Sequence, residues 1–233
     1  MARYDTFADW YDAWIADPNE DPVVASLFEL VGDVAGRRIL DLGCGQGRIA
    51  RHLVGLGAAE VVGVELSGEM LAHAGETPNV TYLQSDAATI DWWDGVPFDG
   101  VVSSMALMDI DDLAGAARTA ATTLTPGGWF AWSINHPAFP GIEHVRSNWP
   151  TGGSYFDEGL WFTDGAGVRG TVGANHRTLS TYFSTMLDAG LALERIDEPP
   201  WQLSTDHPAL PFFLVTRWRK TSTACEHGSH PRG

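Results

Sequence analysis

Short apolar runs alternate with amphipathic stretches over the first two thirds of the chain. In PVVASLFELVG, residues 22–32, Val23, Val24, Leu27, Phe28, Leu30 and Val31 recur at helical spacing, and Gly32 is a natural stop. Arg38–Leu42 reads as a short buried strand running into GCGQG, and residues 48–55 return to helix. Val61–Glu65 is a second apolar strand. Ser67 can cap a helix through Ala74, with Glu69 in its first turn. Val80–Leu83 and Phe98–Ser103 are the third and fourth strands. The alanine-rich stretch Asp111–Leu124 is a helix that starts on aspartate, TPGG is a turn, and Trp129–Ile134 is a fifth strand.

Strands alternating with helices at this spacing predict βαβ units and a parallel sheet with helices on both faces. Such sheets bind ligands beyond the carboxyl ends of their strands, so the loops after strands one to four are expected to share one site. Residues 135–177 break the rhythm with Gly, Pro, Asn and the aromatics Phe139, Trp149, Tyr155, Phe156, Trp161 and Phe162. Within them WFTDGAGVRGT predicts a hairpin turning near Asp164–Gly165. Thr178–Leu187 returns to helix and Gly190 ends it. Leu193–Ile196 and Phe212–Trp218 are two further strands. The expected layout is one domain over residues 1–220, with an N-terminal cap at 1–34 and a substrate lid at 135–177. A polar, disordered tail is expected at 221–233.

Composition narrows the partners. Of 233 residues, 30 are acidic and 14 basic, a formal charge of −16, which disfavours a nucleic-acid substrate. Cys44 and Cys225 cannot form a disulfide framework and are expected to be reduced. The N-terminus lacks a signal-peptide pattern and no apolar run is long enough to span a bilayer, so a soluble cytoplasmic protein without membrane partners is expected. Ten tryptophans are a surplus against the usual one or two per hundred, roughly. Trp10, Trp14, Trp149 and Trp161 fall in the cap and the insertion and are candidates for a lid, whereas Trp129, Trp132 and Trp218 fall on strands and belong in a core.

The strongest local signal is ILDLGCGQGR. A strand ends in Asp41, and Gly43, Gly45 and Gly47 follow at alternate positions. Such glycines make a tight turn and let backbone approach a ligand closely. Arg48 stands where the dinucleotide fingerprint requires its third glycine, so a pyrophosphate cradle is disfavoured, and the lysine of a phosphate loop is missing. Glu65 closes the second strand, 24 residues after Asp41, where a carboxylate can accept from both hydroxyls of a ribose or simply charge a helix start. Asp86, in SDAAT after the third strand, can accept from an exocyclic amine or stand as a turn residue.

In this order and spacing, ILDLGCGQGR, VVGVELSGEML, SDA, FDGVVSSMALMDIDD and LTPGG resemble the motifs of class I S-adenosylmethionine-dependent methyltransferases over residues 35–134. The opening YDTFADWYD resembles the N-terminal cap of the quinone and small-metabolite subgroup. The resemblance implies a Rossmann-like α/β fold, a seven-stranded, mostly parallel sheet with its last strand antiparallel. It implies S-adenosylmethionine as cofactor, S-adenosylhomocysteine as product, and a small-molecule acceptor methylated on O, N or C by in-line displacement, in a monomer or homodimer. Asp41, Gly43 and Gly45 would line the methionine moiety, with Ser103 beneath it. Glu65 would hold the ribose, Leu66 and Ala87 would pack near the adenine, Asp86 would bind its amine, and Tyr11 would cap the cofactor.

Two histidines are candidates for proton acceptance. His136, in SINHPAF, follows the fifth strand, and His176, in NHRTLSTY, precedes a helix capped by Thr178. Each serves equally well as a loop-ordering or packing residue. His52, His73 and His207 stand in no partner pattern, and no metal is required. The competing classes are a protein of the same fold that catalyses a rearrangement or cyclisation without methyl transfer, a nicotinamide oxidoreductase, and a nucleic-acid methyltransferase. Arg48 and the lack of a Tyr-x-x-x-Lys pair count against the oxidoreductase; the charge, and SSMA in place of an Asn/Asp-Pro-Pro-Tyr motif, count against the nucleic-acid enzyme.

Overall fold

The computed structural model describes residues 2–14, 21–139, 153–162, 168–202 and 209–221. The elements, in chain order, are α1 (Ala8–Trp14), α2 (Pro22–Val31), β1 (Arg38–Leu42), α3 (Arg48–Gly55), β2 (Glu60–Glu65), α4 (Gly68–Ala72), β3 (Val80–Gln84) and β4 (Phe98–Ser104). They continue with α5 (Leu113–Thr123), β5 (Leu124–Asn135), β6 (Gly159–Trp161), α6 (Val168–Thr171), β7 (Ala174–His176), α7 (Leu179–Asp188), β8 (Leu191–Asp197) and β9 (Phe213–Lys220).

Capping chemistry fixes several helix starts. Asp21, Ser67, Asp112 and Thr178 each accept a backbone N–H of the first turn they precede, at α2, α4, α5 and α7. Helix α4 stops two residues before the expected Ala74. TPGG falls within β5 rather than before it: Leu124 pairs with Phe98, the register then shifts, and regular pairing resumes at Trp129. Gly127, at φ +74°, absorbs the irregularity.

Seven strands form one sheet in the order β3-β2-β1-β4-β5-β9-β8. The first five pair in parallel, and β9 is antiparallel to both β5 and β8. The pleat sorts side chains onto two faces. Ile39, Val61, Val102, Trp129, Ala131 and Val215 pack in the cluster that holds Leu27 and Leu30 of α2 and Ala50 and Leu53 of α3. Leu40, Leu42, Val62, Val101, Phe130, Trp132 and Trp218 pack in the cluster that holds the alanines of α5 and Tyr182 and Met186 of α7. Trp129, Trp132 and Trp218 are buried, as their strand positions predict.

The insertion differs from its sequence reading. The hairpin is β6 paired antiparallel with β7, and Val168–Thr171 is a helical turn between them. Trp161 is buried in the core beside Tyr182 rather than displayed on a lid. Trp10 and Trp14 are exposed, at 44% and 58%. Trp149, the turn at Asp164–Gly165, His207, and Cys225 with the tail from residue 222 onward lie outside the described residues. Among the described residues no helix is long and apolar enough to cross a membrane.

Candidate functional site

The carboxyl ends of β1, β2, β3 and β4 open into one cavity of about 340 Å³, a size typical of small-ligand sites. It lies where the strand order reverses between β1 and β4, the switch point of an open parallel sheet. Its lining includes Tyr11, Asp41, Gly43, Gly45, Glu65, Leu66, Asp86 and Ala87, so eight of the nine residues expected around a cofactor share it.

The glycine loop admits nothing larger. Gly43 and Gly47 take φ of +76° and +75°. A Cβ on Gly43 would lie 2.5 Å from the Cβ of Ala106, and one on Gly47 2.2 Å from the Tyr82 hydroxyl. Bare backbone at Gly43 and Gly45 therefore lines the cavity.

Three carboxylates sit around this floor. Asp41 lies on the α3 face of the sheet, 1% exposed, and its Oδ2 has no hydrogen-bond partner. Burial pushes its pKa up to about 7; the Ala50 N–H pulls it down, Glu65 raises it further and Arg48 lowers it. Glu65 accepts from the N–H groups of Ser67 at 2.9 Å and Gly45 at 3.0 Å. Burial raises its pKa, and the N–H groups of Ser67, Gly45 and Leu66 oppose that rise. With about four lone-pair sites on a carboxylate, Glu65 keeps capacity for a ligand. Asp86 is exposed and holds the Ala88 N–H at 2.8 Å, which orients the carboxyl group.

An orphaned buried acceptor, a carboxylate at the β2 end and a bare-backbone floor fit a cationic nucleoside such as S-adenosylmethionine. Six carboxylates line the cavity (Asp41, Glu65, Asp86, Asp109, Asp111 and Asp112) against two guanidiniums, Arg3 and Arg48. Arg48 is itself ion-paired with Asp21 at 3.2 Å. Such a lining favours a positive ligand.

Residues 2–14 lie along the cavity as a strap whose Ala2, Arg3, Tyr4 and Tyr11 line it. The Tyr4 and Tyr11 rings meet edge to face at 5.6 Å. At one end the Tyr4 hydroxyl donates to Asp109 Oδ2 at 2.9 Å, and Arg3 donates to the Asp109 carbonyl and to Asp111. Further along, Ser67 Oγ donates to Asp5 at 2.7 Å. Beyond that, His73 stands against Asp9 at 2.9 Å and Asp12 at 3.5 Å. The loop from β4 to α5 is gripped from its other side. Arg177 donates to the carbonyls of Leu107, Ile110 and Asp111, and Arg169 pairs with Asp109 at 2.5 Å.

Three expected site residues lie elsewhere. Ser103 is fully buried, and its hydroxyl donates to the Leu42 carbonyl at 2.8 Å. One residue along, the pleat reverses and Ser104 lines the cavity instead. His136 is buried outside the cavity; its Nδ1 accepts from the Ala138 N–H at 3.2 Å and its Nε2 meets Glu198 at 2.8 Å. His176 is buried with its Nε2 on the Tyr155 carbonyl at 2.8 Å, beside a second, much smaller cavity. Arg3, Tyr4, Arg48, Ser104 and Asp109 are the additions made by the structure. Only Ser104 had a readable signal, the strand parity that sets it on the same face as Asp41.

Fold and site define a Rossmann-like α/β protein with an acid-lined cavity at its switch point, and comparison with known proteins gives its family. Residues 39–128 match the profile of the methyltransferase domain family. The chain is 33% identical over 132 residues to a ubiquinone biosynthesis O-methyltransferase of Albidiferax ferrireducens, a match covering 51% of this chain and 52% of that one. The chain thus spans about half the length of that curated relative. A ubiquinone biosynthesis O-methyltransferase of Burkholderia vietnamiensis is 31% identical over 63% of this chain and 71% of its own. The crystal structure of an S-adenosylmethionine-dependent methyltransferase from Mesorhizobium loti superposes with a TM-score of 0.69 at 30% identity, covering 87% of this chain and 99% of that one. The chain belongs to the S-adenosylmethionine-dependent methyltransferases, and S-adenosylmethionine is its cofactor.

Proposed function

We propose that the chain methylates a small hydroxylated aromatic acceptor on oxygen. The observation that carries the reading is the placement of Asp41, Glu65 and Asp86 around one cavity at the switch point. Asp41 receives the methionyl ammonium on its orphaned oxygen, Glu65 takes the ribose hydroxyls, and Asp86 takes the adenine amine between Leu66 and Ala87. Tyr11 covers the ligand from the strap. The acceptor enters beside Tyr4, Met105 and Ile110, a largely apolar wall of the same cavity. Oxygen is favoured by the relatives named as O-methyltransferases.

When bound, S-adenosylmethionine supplies a methyl group on a positively charged sulfur that becomes neutral as the methyl leaves. The chain's work is alignment and exclusion of water. Holding two reactants in line is worth up to roughly 7–11 kcal/mol in favourable cases. The strap and the Arg177-braced β4–α5 loop hold the walls that do this, and they shield the reacting atoms.

Calorimetric titration with S-adenosylhomocysteine is expected to give a micromolar Kd, and Glu65→Ala to weaken it at least about tenfold. Folded protein that binds neither S-adenosylhomocysteine nor S-adenosylmethionine overturns the reading; an unchanged Kd for Glu65→Ala removes the ribose assignment. Methyl-labelled S-adenosylmethionine with a panel of catechols, amines and carboxylates tests the acceptor. Label on the catechols alone is expected, and label on amines or carbon alone overturns the choice of oxygen.

A further inference from the structure

We infer that His73 is a positioning residue for the cofactor: its two ring nitrogens, each facing a carboxylate of α1, clamp α1 to α4 and so seat Tyr11 over the cavity. The inference rests on the reading of Tyr11 as a cover for the cofactor. His73 caps the C-terminus of α4, outside the cavity. Its Nε2 lies 2.9 Å from Asp9 Oδ1 and its Nδ1 3.5 Å from Asp12 Oδ2. Asp9 and Asp12 are three apart on α1, so one face of the helix presents both. A carboxylate has no proton to give, so two carboxylates on two ring nitrogens are satisfied together only by imidazolium. A neutral ring holds one of them. Tyr11 lies between the two aspartates in sequence and reaches the cavity.

The strap has few other fastenings on this side. Asp5 on Ser67 is the one side-chain bond to the α4 region besides the His73 pair among the described residues. Other charges lie close in sequence or on the neighbouring helix. On its own segment, Glu69 lies four residues before it and Glu76 three after it. From α3, Arg51 donates to the Ala74 carbonyl next to it. A cofactor that binds only beneath a seated strap has an apparent affinity scaled by the fraction of molecules in which the strap is seated. The clamp needs a proton on both ring nitrogens, so the seated fraction is lower wherever the ring is neutral.

The test is calorimetric titration of S-adenosylhomocysteine at pH 5.5 and pH 8.5 into the full chain, comparing each variant with wild type at the same pH. This comparison cancels titrations in the cavity itself. His73→Gln is expected to weaken binding roughly five-fold at pH 5.5, the weight of exposed ion pairs, and by less than about two-fold at pH 8.5. Asp9→Asn with Asp12→Asn is expected to reproduce this pattern from the other side of the clamp. Equal loss at both pH values assigns His73 a merely structural role and overturns the inference, as does no loss at either. Tyr11→Ala checks the reading beneath it: weaker binding at both pH values is expected, and an unchanged Kd refutes Tyr11 as the cover while leaving the His73 ratios to be read separately.

Discussion

In the proposed site Asp41 couples cofactor binding to protons. Its carboxyl group is buried and holds its proton up to about pH 7, against an ordinary value near 4. A raised pKa means that the folded, ligand-free protein binds this proton more tightly than the unfolded chain. The group's penalty therefore sets in as pH rises above about 4 and is complete above about 7. Asp41→Asn should thus melt at a higher temperature than wild type at pH 8, ligand-free, with little difference at pH 4. A cationic ligand favours the ionised carboxylate, so S-adenosylmethionine binding near pH 6 should release close to one proton. Titrations in buffers of different ionisation enthalpy measure it; no proton release, or the same release from Asp41→Asn, counts against the assignment. At this scale the motif residues were legible because backbone geometry demands glycine and charge demands aspartate. Ser103 was misplaced by one position because parity, not residue type, decides which of two adjacent serines faces a site. His73 could not be read, since its partners lie more than sixty residues away.

At the scale of elements, the strands of the sheet and the helices between them could be read: β1, β2, β4 and β5 are apolar runs that the sheet buries, and α4, α5 and α7 open on capping residues. The insertion could not. Its β6 and β7 are three residues each, too short for a period, and much of its order comes from side chains gripping the β4–α5 loop. The largely buried pair Arg169–Asp109 joins the two, with side chains 11% and 13% exposed. Removing one partner of such a pair leaves a charge stranded away from water, at a cost of about 3–5 kcal/mol. Arg169→Met should destabilise by about that amount in urea unfolding, and Arg169→Met with Asp109→Asn should recover a good part of it. A double variant no more stable than the single one would show that the pair is not the source of the loss.

The whole molecule carries a charge of −16, and part of that excess is gathered around the cavity. Such a charge disfavours a nucleic-acid partner. In the proposed site it also sets the cofactor in a negative field. S-adenosylmethionine carries one more positive charge than S-adenosylhomocysteine, so salt should weaken the former more. Raising ionic strength from about 0.05 M to 1 M should lower the affinity ratio of cofactor to product; a constant ratio would mean that the field is too weak to matter.

The place of β9 in the sheet has a consequence for biosynthesis. It follows β8 in the chain yet lies inside it, between β8 and β5. On the ribosome, β1 to β5 can assemble as their residues emerge, whereas β8 has no partner until Phe213–Lys220 has been made. Until then the β5 backbone is an open edge, ready to pair with another chain. Of the seven strands, the one translated last therefore joins the two parts of the sheet and closes that edge.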